Sequence, residues 1–119
     1  MRTDLLKTLA DHLDKVPDEN FDMGVWQCRH ECGFAGCAIG HAQGLPGFEG
    51  LKFELTGPGL FTPVYDGLQS WKAVARLFGP IRYSSVVYLF SASSYPDDVT
   101  PAIVAARIRR FIKRKGKQQ

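Results

Sequence analysis

The chain has 119 residues, 45% hydrophobic and 23% charged, with a formal net charge of +3. This length suits one domain with a core of its own, and the composition excludes global disorder. No apolar run approaches the roughly 20 residues of a membrane helix. Residues 1–16 carry Asp4, Asp11, Asp14 and Lys15 among their leucines, unlike the apolar core of a signal peptide. Three cysteines, an odd count, argue against a disulfide framework. The expectation is a cytoplasmic protein with reduced thiols and no membrane partner.

Leu5, Leu6, Leu9, Ala10, Leu13 and Val16 recur at helical spacing and predict an amphipathic first helix, capped by Thr3 or Asp4 and stopped at Pro17. Residues 18–27 read as a connector whose Phe21, Met23, Val25 and Trp26 plug apolar gaps. Residues 33–43 read as a second, buried helix. Its Gly33, Gly36 and Gly40 make it weak alone, and Gly36, Gly40 and Gly44, at four-residue steps, would let another backbone approach. Leu51, Phe53 and Leu55 alternate with Lys52 and Glu54, which predicts a hairpin over 51–65. Its turn is Thr56-Gly57-Pro58-Gly59, and Pro63 would confine the return strand to an edge.

Asp66 would cap a helix over 67–78 that ends at Gly79-Pro80, with Leu68, Trp71, Val74, Ala75 and Phe78 inward. Residues 84–90 suit a buried strand or a short helix, and the helix fits the short connections better. Thr100-Pro101 opens a last helix, with Ile103, Val104, Ile108, Phe111 and Ile112 along its apolar stripe and Gly116 as its stop. The fold class is α+β and mostly helical, a single compact domain of four to five helices with one β-hairpin. Residues 1–112 form the globular domain and residues 113–119 a basic tail. Trp26, Phe34, Ile39, Trp71, Phe78, Leu89 and Phe111 are expected inside.

The densest chemistry lies between Trp26 and His41, which hold all three cysteines and two of the three histidines. Cys28, Cys32, Cys37 and His41 would make a Cys3His zinc site, with His30 as a substitute ligand, since two pairs at four-residue spacing present soft and borderline ligands. Only four residues separate Cys32 from Cys37, which is tight for one metal. The competing reading is packing, because free cysteine behaves as a small buried hydrophobe; no cofactor is then needed. The third is thiol chemistry, with Cys32 at a helix start and His30 or His41 as base, or a redox sensor. No protease signature surrounds it. Asp97-Asp98 reads as a solvated pair before the last helix, and Gly57-Pro58-Gly59 lacks the Lys-Ser/Thr ending of a phosphate loop.

Seven cations and no acid fall within residues 107–117, so this segment carries +7 and the rest of the chain −4. Arg107, Arg110, Lys113, Arg114, Lys115 and Lys117 are the candidate partner-binding residues, facing an acidic protein or, second, nucleic acid. No evident base reader accompanies them. The bland alternative is a solvated helix end whose cations complement the helix dipole.

Phe21-Asp22-Met23, Trp26, the run Cys32-Gly33-Phe34-Ala35-Gly36-Cys37-Ala38-Ile39-Gly40-His41-Ala42, Leu77-Phe78-Gly79, Leu89-Phe90 and Thr100-Pro101 stand in an order that spans most of the chain. It resembles a family of small uncharacterised bacterial proteins, often carried by phages and plasmids, with a Cys-Gly-x-x-x-Cys-Ala-x-Gly-His motif. In that pattern the tryptophan stands closer to the Cys-Gly pair. This chain has Gln27-Cys28-Arg29-His30-Glu31 between them. The resemblance implies a compact accessory protein and supplies no reaction. The leading functional expectation is therefore a non-enzymatic binding protein acting on a macromolecular partner. On a mobile element that partner would include a host protein, a defence component among them. The alternatives are a zinc-stabilised nucleic-acid-binding module and a cysteine-dependent enzyme or redox sensor.

Overall fold

The computed structural model describes residues 1–30 and 33–117, and leaves Glu31, Cys32, Gln118 and Gln119 outside. The first apolar stripe forms helix α1, Thr3–Leu13, which buries Leu5, Leu6, Leu9, Ala10 and Leu13. Its N-cap is Arg2 rather than Thr3 or Asp4, and no side chain caps it. A 3-10 turn, Asp18–Asn20, leads to strands β1, Gln27–His30, and β2, Gly33–Gly36, then β3, Lys52–Gly57, β4, Leu60–Tyr65, and β5, Leu68–Gln69. Helices α2, Ser70–Phe78, and α3, Tyr83–Phe90, a second 3-10 turn, Ala92–Ser94, and helix α4, Pro101–Lys117, follow.

The single hairpin expected over 51–65 exists as β3–β4, but it belongs to a larger antiparallel sheet of order β2-β1-β4-β3, with β5 also paired to β4. Pro63 therefore sits on an inner strand, not an edge. It is tolerated because Leu60 and Phe61 pair β1 while Val64 and Tyr65 pair β5, so Pro63 falls in the gap between those neighbours. The β4–β5 connection is the two-residue loop Asp66-Gly67. Both residues have positive φ, 52° and 79°, as a type I′ hairpin turn requires. Asp66 is thus a turn residue and not a helix cap, and α2 begins three residues later than expected from Gly67.

The helix expected over 33–43 is absent. Gly33–Gly36 pairs with β1, Gln27 opposite Gly36 and Cys28 opposite Ala35. After Cys37 the chain descends in single turns, with the amides of Ala42, Leu45, Phe48 and Leu51 bonded to the carbonyls of Ile39, Ala42, Leu45 and Phe48. Every third residue of that staircase is apolar and turned toward the core. Gly33, Gly36 and Gly40 disfavour a helix over this stretch, and the backbone of Gly33–Gly36 finds its partners in the ladder with β1 instead. The five residues between Trp26 and the Cys32-Gly33 pair include the whole of β1.

Residues 84–90 are helical as expected, and Thr100 caps α4 through its Oγ1, which accepts from the Ile103 amide at 3.3 Å. That helix runs to Lys117, through Gly116 and through most of the segment read as a tail. One core joins α1, the staircase, α2, α3 and α4. Ile39, Phe78, Leu89 and Phe111 lie inside it. Trp26 and Trp71 are only half-buried and meet edge to face at 4.6 Å, while Phe34 lies outside the residues whose side chains are described.

Candidate functional site

The basic helix divides into cations that hold the fold and cations that face solvent. Arg107 turns inward. Its Nη1 donates to the carbonyls of Tyr88 at 2.9 Å and Ser94 at 2.8 Å, and its guanidinium lies over the rings of Tyr88 and Tyr95, at 4.4 and 3.8 Å. Its Nε is buried with no hydrogen-bond partner among the described residues. Arg107, grouped by sequence with the partner-binding residues, is tied to the end of α3 and to the 3-10 turn that follows it: its guanidinium reaches one carbonyl on each. Burial also raises the Tyr95 phenol well above its ordinary range, and that hydroxyl donates to the Leu89 carbonyl at 2.7 Å.

Arg109 is spent on α1. Its Nη2 donates to Asp14 at 2.6 Å and to Asp11 at 2.9 Å. The hydrogen bond from Arg109 holds the Asp14 carboxyl below its ordinary range, against a smaller desolvation effect. Arg110, Lys113 and Arg114 remain exposed, with no ion pair among the described residues. Spacings of three and four residues place them on one face, with Lys117 one turn beyond at the helix end. Lys115 leans over the Phe111 ring, its Nζ 5.6 Å from the centroid. Beside this face, Ser84, Ser85, Tyr88, Phe111, Arg114 and Lys115 line an open hollow between α3 and α4. Nothing in the sequence joins Ser84, Ser85 and Tyr88 to the cations, because only the packing of α3 on α4 brings them together.

The cysteine and histidine segment is arranged differently. Gln27 and Arg29 alternate with Cys28 along β1. Gln27 Nε2 donates to the Gly40 carbonyl at 2.8 Å and to Gln43 Oε1 at 3.0 Å, while Arg29 Nη2 donates to Gln27 Oε1 at 2.6 Å. These two side chains therefore face the staircase, and strand alternation turns Cys28 to the opposite side of the sheet. Cys37 is in the core, its Sγ 3.8 Å from the Trp26 carbonyl, and burial pushes its thiol up to about 11. His41 is half-buried against Phe21, ring centroids 6.3 Å apart, with Nε2 2.7 Å from the Asn20 carbonyl. A carbonyl accepts only, so the ring carries its proton on Nε2 there. Desolvation holds the His41 pKa below the ordinary histidine value.

Cys32, the remaining member of the expected zinc set, lies outside the described residues, as does Glu31. Cys37 is buried in the core, whereas Cys28 is only half-buried on β1. No group of three or more His, Cys, Asp and Glu side chains able to hold a metal occurs among the described residues. No sequence signal marks the Gln27–Arg29–Gln43 network, since a glutamine ordinarily faces water, yet Gln27 is 1% exposed. No helix among the described residues is long and apolar enough to cross a membrane. Comparison with protein-family models, with curated proteins and with solved structures gives no match.

Proposed function

We propose that this protein is a non-enzymatic binding protein that meets an acidic surface of another protein through the exposed face of α4. The observation that carries this reading is the division of labour along that helix. Arg107 and Arg109 are consumed by the fold, whereas Arg110, Lys113 and Arg114 on the same helix pair with no acid among the described residues. A fold needing these cations for itself would pair them as it pairs Arg109. Unpaired like charges on one face repel each other, and an acidic partner relieves that repulsion while steering encounter. The thiol and imidazole geometry supports the non-enzymatic part. A buried Cys37 with a raised pKa is a poor nucleophile, and the His41 proton is held by a backbone carbonyl.

A second reading is contact with single-stranded nucleic acid. The hollow that sets Ser84, Ser85 and Tyr88 beside Arg114 and Lys115 favours it, because single strands are held by cations, hydroxyls and exposed rings together. One experiment separates the two. Binding of a labelled polyglutamate peptide and of a labelled random DNA oligonucleotide is measured by fluorescence anisotropy across a salt series, for the natural chain and for R110E/K113E/R114E. The acidic peptide is expected to bind the natural chain at low salt and to lose binding in the triple variant. If four cations contact the DNA single strand instead, the logarithm of affinity falls against the logarithm of salt with a slope of about −3. Binding of neither probe at low salt, or equal binding by the triple variant, sinks the proposal.

A further inference from the structure

The outer edge of β3 is the second surface of the molecule that is unfinished, and its chemistry differs from that of the basic helix. The phase of the β4 backbone fixes which atoms of β3 face outward. Tyr65 and Leu68 close the two-residue loop Asp66-Gly67, and the pair closing such a loop exchanges its backbone hydrogen bonds. Tyr65 therefore turns its N–H and C=O toward β5. Backbone groups alternate sides along a strand, so Val64 and Thr62 turn toward β3 and Pro63 turns away. Pro63 fits this phase, having no N–H to give β3. Opposite Val64 and Thr62 stand Lys52 and Glu54, which face β4. The N–H and C=O of Phe53 and Leu55 then point to the open edge, where no strand pairs them among the described residues.

We infer that this edge pairs with the same edge of a second copy of the chain, antiparallel and about a two-fold axis at Phe53. Charge selects this register from its neighbours. With Phe53 opposite Phe53 of the second copy, Lys52 lies opposite Glu54 of the second copy, and the two-fold axis repeats the pair. Moving the axis toward Lys52 sets the two lysines against each other. Moving it toward Glu54 sets the two glutamates against each other. Opposite charges directly across a ladder stabilise it and like charges destabilise it, so one register is favoured and both adjacent ones are penalised. Glu54 already accepts from Gln69 Nε2 at 3.2 Å through Oε2, which steadies the carboxylate on the outer face and leaves Oε1 for the lysine.

The other face of the same strand carries an exposed apolar side chain to the contact. Leu55 is 64% exposed, and in this register it lies opposite Leu51 of the second copy, which is itself buried in its own core. Phe53, half-buried against its own core, meets its symmetry mate. Phe53 contributes both backbone bonds at the axis. The Leu55 amide reaches the Leu51 carbonyl of the second copy, whose own amide is already bonded to Phe48. Isolated edge lysines ordinarily discourage such pairing. Glu54 two residues along turns that repulsion into a device for choosing register.

Sedimentation velocity over a concentration series tests the inference, on the natural chain, K52E, E54K and the double exchange K52E/E54K. These exposed side chains leave the core untouched, so each variant folds. The natural chain is expected to show a reversible monomer–dimer equilibrium. Each single reversal, which sets like charges opposite at both symmetry-related sites, should raise Kd about tenfold, and the double exchange should restore it. A natural chain that sediments as a monomer throughout, a dimer indifferent to the single reversals, or a double exchange that fails to recover would each overturn the inference.

Discussion

Gly40 stands four residues from Gly36 and from Gly44, a spacing of small residues expected to let another backbone approach. The backbone that approaches Gly40 is the one just before β1. A Cβ at Gly40 would collide with the carbonyl oxygen of Trp26 and press on the Gln27 side chain, and a backbone atom cannot step aside as a side-chain tip can. Gly40 also offers its own carbonyl to Gln27. Replacing it with alanine should cost about 3 kcal/mol or more, the range of forced overpacking with a lost buried hydrogen bond. Urea unfolding followed by tryptophan fluorescence would read this, and an unchanged midpoint would mean that the loop moves freely. Within the cysteine-rich run, Cys37 fills core volume and His41 ties the staircase to the first 3-10 turn.

Elements with a long period were readable from sequence, and short ones were not. α1 and α4 each repeat their apolar stripe over several turns, so chance is easily excluded; α3 was settled only by the lengths of its connections. β2 has four residues, two of them glycine, and four residues cannot distinguish a period of 2 from one of 3.6. Cys37 and His41 four apart then favoured helix wrongly. β5 has two residues and runs directly into α2, so its apolar Leu68 was absorbed into the helical stripe. The signal that could have found it is Asp66-Gly67, a strong hairpin dipeptide between two apolar residues. At this scale Gly67→Ala should destabilise the chain by about 1 kcal/mol, because φ of 79° penalises any Cβ although open space surrounds it. A thermal melt of this variant should fall below that of the natural chain; an equal or higher melt would place the β4–β5 turn outside the cooperative unit. The candidate basic face was legible as composition, but which cations are free was not. That depended on Asp11 and Asp14, nearly a hundred residues away in sequence, reaching Arg109.

Across the whole molecule, α1 and α4 lie side by side, with Val104, Ala105, Ile108 and Phe111 sharing one core with the α1 leucines. The Asp14–Arg109 contact at their margin makes that union sensitive to acid. A carboxyl held below its ordinary pKa stabilises the fold fully above about pH 4, and this contribution is lost as pH falls through the lowered value. Both partners are close to half exposed, so the contribution is under about 1 kcal/mol. The melting temperature should drop on acidification from pH 5 to pH 3 by a smaller amount in Asp14→Asn than in the natural chain; parallel curves would assign the acid sensitivity elsewhere. The pairing of α1 with α4 also has a consequence during synthesis. The ribosome releases α1 with its leucine stripe bare, and the segment that covers it is made some ninety residues later. For that interval the nascent chain offers an unfinished apolar surface, a target for chaperones or for another nascent copy. Arrest of translation just short of α4 would therefore leave a chain that stays protease-sensitive, and closure would come as a single late event.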